Sequence, residues 1–81
     1  MAIKYYKIIE DGIEYDVEED AVGTYWYLND QMHRESGPAS IRDGNKTWFR
    51  YGKRHRTDGP AMERTDGHFE WYYQGERHNE S

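Results

Sequence analysis

Three histidines, His33, His55 and His78, recur at intervals of 22 and 23 residues. Aligned imidazoles could ligate a metal ion. If each interval adds two strands to a sheet, neighbouring copies lie roughly 10 Å apart, too far to share one ion held by bonds of about 2 Å. The spacing favours histidines that pack on a Trp and hydrogen-bond a neighbouring turn, so neither metal nor cofactor is expected. A second cluster, Arg50, Lys53, Arg54, His55 and Arg56, is interleaved with Trp48, Phe49 and Tyr51. Charge for phosphates and ring faces for bases is what single-stranded nucleic acid requires. The plainer alternative is solvated charge paired with Asp58, Glu63 and Glu70. A net charge of −5 and a pI near 5.3 weigh against a dedicated nucleic-acid binder.

Seven acidic residues fall between Glu10 and Asp20. In an extended strand Glu14, Asp16 and Glu18 share one face at intervals of about 6.6 Å, close to the phosphate spacing of a single strand. That pattern could mimic nucleic acid; it could equally be a solubilising edge that blocks sheet-to-sheet association. Ser36 and Ser40 stand near His33, but no Gly-x-Ser-x-Gly elbow surrounds them. The glycines follow turns at the repeat interval and form no phosphate loop. No apolar pocket is foreseen that would raise a carboxyl pKa. Catalysis is not expected.

The elements that must position these residues follow from an internal repeat. Trp26-Tyr27-Leu28-Asn29-Asp30 recurs as Trp48-Phe49-Arg50-Tyr51-Gly52 and as Trp71-Tyr72-Tyr73-Gln74-Gly75. His33-Arg34 recurs as His55-Arg56, and with the Arg lost as His78-Asn79. Gly37-Pro38-Ala39 recurs as Gly59-Pro60-Ala61, and Asp43-Gly44 as Asp66-Gly67, one residue late. The Asp-Gly, Tyr51-Gly52 and Gln74-Gly75 pairs suit two-residue hairpin turns, and Asn29-Asp30 is a weaker version. Gly-Pro marks a wider connection, because proline cannot donate to a central ladder. No segment keeps a helical period. The expectation is a twisted antiparallel meander of about eight to ten short strands. Trp26, Trp48 and Trp71 should form a stripe on one face, with Tyr27, Phe49 and Tyr72 on the other.

The 81 residues suffice for one domain. Leu, Ile, Val and Phe number only ten, a share that would by itself suggest disorder, but thirteen aromatics can bury much surface per residue. Residues 1–23 are read as an acidic hairpin, Tyr6–Glu10 and Ile13–Val17 around Asp11-Gly12, that serves as a degenerate unit or cap. Residues 24–81 hold two full units and a half. Residues 1–30 carry a net −6 and residues 31–81 a net +1. No apolar stretch is long enough to span a membrane, and Met1-Ala2-Ile3-Lys4 does not open a secretory signal. The absence of cysteine fits a reducing, cytoplasmic location.

The succession of aromatic pair, two-residue turn, His-Arg, Gly-Pro-Ala, Asp-Gly and a new Trp over residues 24–81 resembles the MORN-like repeats of small phage and large-DNA-virus proteins. Ordinary MORN units lack His-Arg and Gly-Pro-Ala. The resemblance implies a single-layer β scaffold for interactions, a viral or bacterial source, and no catalytic residues. It implies a non-enzymatic accessory protein that binds and inhibits a host protein, such as a defence or toxin component, in the host cytoplasm. Trp48, Arg50, Tyr51, Arg54 and Arg56 are the expected partner-binding residues, with Glu14, Asp16 and Glu18 as an alternative acidic surface. RNA or nucleotide binding through residues 48–56 is the competing expectation. A membrane-surface role is disfavoured, because an acidic protein is repelled by anionic lipid. With few residues to cover two sheet faces, either the N-terminal hairpin folds over one of them or a partner does, which makes a two-fold homodimer a further expectation.

Overall fold

Turn chemistry sets the architecture. In the computed structural model, which describes residues 3–78, five reversals have positive φ at both central residues. They are Asp11-Gly12, Asn29-Asp30, Asp43-Gly44, Tyr51-Gly52 and Gln74-Gly75. These are hairpin turns whose twist matches that of the strands they join. Asp66-Gly67 behaves differently. Gly67 N donates to Arg64 O and Arg64 N to His68 O, so the chain reverses through a wider loop that accommodates the extra residue of the 23-residue interval. Among the described residues there is no helix, and none long and apolar enough to cross a membrane.

Eleven strands result among the described residues: β1 (Lys4–Glu10), β2 (Ile13–Glu19), β3 (Gly23–Leu28), β4 (Gln31–Met32), β5 (Ser40–Arg42), β6 (Asn45–Thr47), β7 (Phe49–Arg50), β8 (Lys53–Arg54), β9 (Met62–Glu63), β10 (Phe69–Tyr73) and β11 (Glu76–His78). All pairings are antiparallel, in the order β1-β2-β3-β5-β6-β9-β10-β11, with β4 beside β3 and β7 beside β8. The protein is an open all-β meander.

Each repeat is a Trp strand and a broken return strand. Gly23–Tyr25 of β3 pair with β5, whereas Tyr27 and Leu28 pair with β4. β4 and β5 are thus two halves of one return strand, parted by residues 33–39. The second unit repeats the design: β6 and β7 form the Trp48 strand, and β8 and β9 are parted by residues 55–61. The backbone bonds at the breaks are the same in both copies. Trp26 N donates to Ala39 O and Trp48 N to Ala61 O, both at 2.8 Å; His33 N donates to Trp26 O and His55 N to Trp48 O. The β7-β8 pair joins the rest through Arg34 N to Phe49 O, Gly52 N to Met32 O and Gly75 N to Arg54 O.

Strand alternation places Tyr15, Val17 and Trp26 on one face, since Val17 pairs with Trp26. They form the core with Ala39. The two interrupting loops fold over that face. Ala39 and Ala61, the last residues of the two Gly-Pro-Ala segments, are fully buried. The N-terminal hairpin therefore does not fold over a sheet face: β2 pairs with β3 and extends the sheet sideways. The repeats' own loops cover the Trp face, which corrects the expectation that the hairpin folds over it. Phe49, the cross-strand partner of Arg54, packs against the core cluster.

Candidate functional site

The covered face is built on one arginine per loop. Arg34 stacks over Trp26 and Arg56 over Trp48, each with the guanidinium carbon 3.9 Å from the ring centroid, a cation–π contact. Each also donates back to its own loop, Arg34 to Pro38 O at 3.1 Å and Arg56 to Pro60 O at 3.0 Å. The remaining donors meet carboxylates. Arg34 holds Glu10 through two bonds of 3.0 and 2.8 Å, and Arg56 holds Asp58 and Glu63 at 2.9 Å each. The Arg34 and Ser36 bonds keep the Glu10 carboxyl below its ordinary range, against a smaller effect of burial.

The histidines link one unit to the next. His33 Nδ1 accepts the Tyr51 N–H at 2.9 Å and His55 Nδ1 accepts the Gln74 N–H at 3.0 Å. Tyr51 and Gln74 each open a hairpin turn with positive φ, so each imidazole secures the turn of the following unit. With Nδ1 accepting, the ring proton of a neutral imidazole lies on Nε2; in His33 it reaches Glu35 Oε2 at 3.0 Å. The rings pack on tyrosines and not on Trp: His33 on Tyr51 at 4.3 Å and Tyr15 at 6.4 Å, and His55 on Tyr73 at 4.7 Å. Burial, and secondarily Arg50, lower the His55 pKa. Among the described residues no group of three or more His, Cys, Asp or Glu is placed to hold a metal. The structural part of His78 that is described is its backbone pairing with Trp71.

The five residues expected on one partner-binding surface are dispersed. Trp48 and Arg56 belong to the covered face, and the Arg56 side chain is only 21% exposed. Arg50 and Arg54 lie in adjacent cross-strand pairs and therefore on opposite faces. Arg50 reaches Glu35 of the covering loop at 3.5 Å, while Arg54 sits over the Tyr72 ring at 5.2 Å. Tyr51 is exposed at the turn but rests on His33.

The alternative acidic residues do come together. Glu14, Asp16 and Glu18 share the uncovered face of β2, with Tyr5 opposite Glu18 on one side and Tyr25 and Tyr27 opposite Glu18 and Asp16 on the other. Lys7 lies between Glu14 and Asp16 at 3.7 and 3.8 Å. Tyr5, Lys7, Asp16, Glu18, Tyr27 and Asp30 line an open groove of about 620 Å³. Burial and then the Glu18 carboxylate raise the Tyr27 phenol pKa, so this ring stays protonated as a hydrogen-bond donor. Of these tyrosines the sequence reading places only Tyr27, opposite the Trp stripe; the same signal covers Tyr25, since Tyr25 and Tyr27 alternate with Trp26 as Glu14, Asp16 and Glu18 alternate with Tyr15 and Val17. No protein-family model, no curated protein and no solved structure matches this chain.

Proposed function

We propose that this protein is a non-enzymatic protein-binding module whose open face, centred on β2, docks a partner segment rich in Lys or Arg. One observation carries the reading: the chain's own loops close the Trp face, while the other face of β1–β3 carries the three carboxylates of β2 and sets two of them, Asp16 and Glu18, beside Tyr5 and Tyr27 in an open groove. Tyrosine is a frequent interface anchor, and ring faces and carboxylates both suit cationic side chains. Compared with the residue 48–56 hairpin, this surface has more of its groups uncommitted, because Trp48 and Arg56 are engaged in the fold. The viral MORN-like resemblance supplies the finer version, a host protein bound and blocked.

The test is capture from bacterial lysate, with and without nuclease, using the wild type, Asp16→Lys combined with Glu18→Lys, and Arg50→Glu combined with Arg54→Glu. The expected result is a stoichiometric protein retained by the wild type and the arginine variant and lost from the acidic-face variant. Retention by the acidic-face variant overturns the surface. Capture of nucleic acid that nuclease and the arginine variant abolish would replace it with RNA binding through the hairpin.

A further inference from the structure

The outer edge of the sheet carries a separate interaction. β1 is seven residues long, pairs with β2 without a bulge, and among the described residues has no strand on its other side. It contains no proline, so a row of backbone donors and acceptors faces outward unpaired, a template for another strand. Tyr5 and Ile9, both on the open face, are the two most exposed large apolar side chains among the described residues, at 72% and 71%.

We propose that β1 pairs antiparallel with β1 of a second copy of this chain, about a two-fold axis through Lys7 and perpendicular to the sheet. The sequence of the strand, Lys-Tyr-Tyr-Lys-Ile-Ile-Glu, is self-complementary in that register alone. Lys4 then faces Glu10 of the partner subunit, Tyr5 faces the partner's Ile9, and Tyr6 faces the partner's Ile8. A one-residue shift would put Tyr5 beside a side chain of the opposite face. A two-residue shift shortens the ladder and sets Tyr6 against the partner's Glu10, or Tyr5 against the partner's Lys7. The like-charged Lys7 pair at the axis opposes association, and Glu14 and Asp16 beside each Lys7 offset it. This symmetry keeps both open faces on one side of the joined sheet, so the two tyrosine-carboxylate grooves become neighbours across the seam.

Sedimentation velocity over a concentration series tests the pairing without any partner protein. The wild type should pass from monomer to dimer as concentration rises. Tyr5→Lys combined with Ile9→Lys should remain monomeric at every concentration while keeping the wild-type circular-dichroism spectrum. Lys7→Thr, which removes the like-charged pair, should tighten the dimer by about two- to five-fold. A wild type that is monomeric throughout overturns the proposal, as does a double-lysine variant that dimerises with wild-type affinity. A Lys7→Thr dimer of weaker or equal affinity places the seam elsewhere and also overturns it. None of these outcomes depends on whether the open face binds a cationic partner.

Discussion

The two covering loops, residues 33–39 and 55–61, open with the same His-Arg and close with the same Gly-Pro-Ala, yet they are held differently. Both arginines stack on a Trp and bond the proline carbonyl of their own loop. The first loop is then clamped by the N-terminal hairpin: Glu10 takes Arg34 and Ser36, and the Tyr15 hydroxyl accepts the Glu35 N–H at 3.1 Å. The second loop draws its carboxylates from Asp58 and Glu63, close by in sequence, and Asp58 is largely exposed. Accordingly His33 is completely buried, whereas His55 is only partly so. The repeat motif encodes a local staple; the neighbouring unit decides how much stability the staple delivers, as nearest-neighbour coupling in repeat proteins requires.

The strongest way to break this difference is at the junction that seats the first loop. Gly23 has no room for a side chain: a Cβ would collide with the carbonyl oxygen of Ile41, with the Arg42 Cα at 2.9 Å. Gly23→Ala must push β5, and with it the exit of loop 33–39, away from β3. It should destabilise the protein by about 3 kcal/mol, read by urea denaturation, with amide exchange accelerated more in residues 33–42 than in 55–63. Equal acceleration in both loops would mean the units are not separately coupled.

Deleting the linking histidines should show the asymmetry directly. His33→Ala removes a fully buried ring and strands the Tyr51 N–H, for a loss of about 3 kcal/mol; His55→Ala, at a more open site, should cost about 1 kcal/mol. Equal losses would show that burial by the hairpin adds nothing. Next in size come the arginines: Arg34→Ala should cost about 2 kcal/mol and Arg56→Ala about 1 kcal/mol, since both lose the stacking contact but only the first breaks a two-bond pair to a distant strand. A double-mutant cycle with Glu10→Ala isolates that pair, and zero coupling energy would remove it as the cause.

Much of this architecture is legible in the amino-acid sequence. The recurrence of Trp26, Trp48 and Trp71 with Asp-Gly, Tyr-Gly and Gln-Gly turns specifies hairpins, but Asp66-Gly67, which reads as a two-residue turn like Asp43-Gly44, closes a wider loop. Each strand of the hairpin around Asp11-Gly12 extends two residues beyond its expected span. What the sequence hides is the role of His-Arg…Gly-Pro-Ala as a cover. A strand interrupted so that its loop folds back over its own face leaves no periodic signal, because residues 33–39 and 55–61 follow neither strand nor helix spacing. For the same reason Arg56 reads as an exposed cation beside Arg54, although one stacks on Trp48 and the other lies over Tyr72. Pattern gives the face of a strand residue; it gives no such information for a loop residue whose long side chain returns to the sheet.

The smallest predicted effect is the dependence on pH, and it separates the two loops by chemistry alone. His55 Nδ1 must be free of a proton to accept the Gln74 N–H, and burial together with Arg50 lowers its pKa in the fold. The groups that face it are Arg50, Tyr73 and the Gln74 backbone, none of which favours an added positive charge. The unfolded chain binds that proton at about pH 6.5. Above that value the imidazole is neutral in both states and its contribution is complete. As pH falls below it, the unfolded state takes up the proton first, and stability declines until the lowered folded-state pKa is passed. His55→Asn keeps an acceptor for the Gln74 N–H and has no proton to gain. Urea midpoints of the wild type should therefore fall relative to those of His55→Asn between pH 7 and pH 5; parallel curves would show that the His55–Gln74 link carries no proton-linked stability, leaving the contrast between the loops to burial and ion pairing alone.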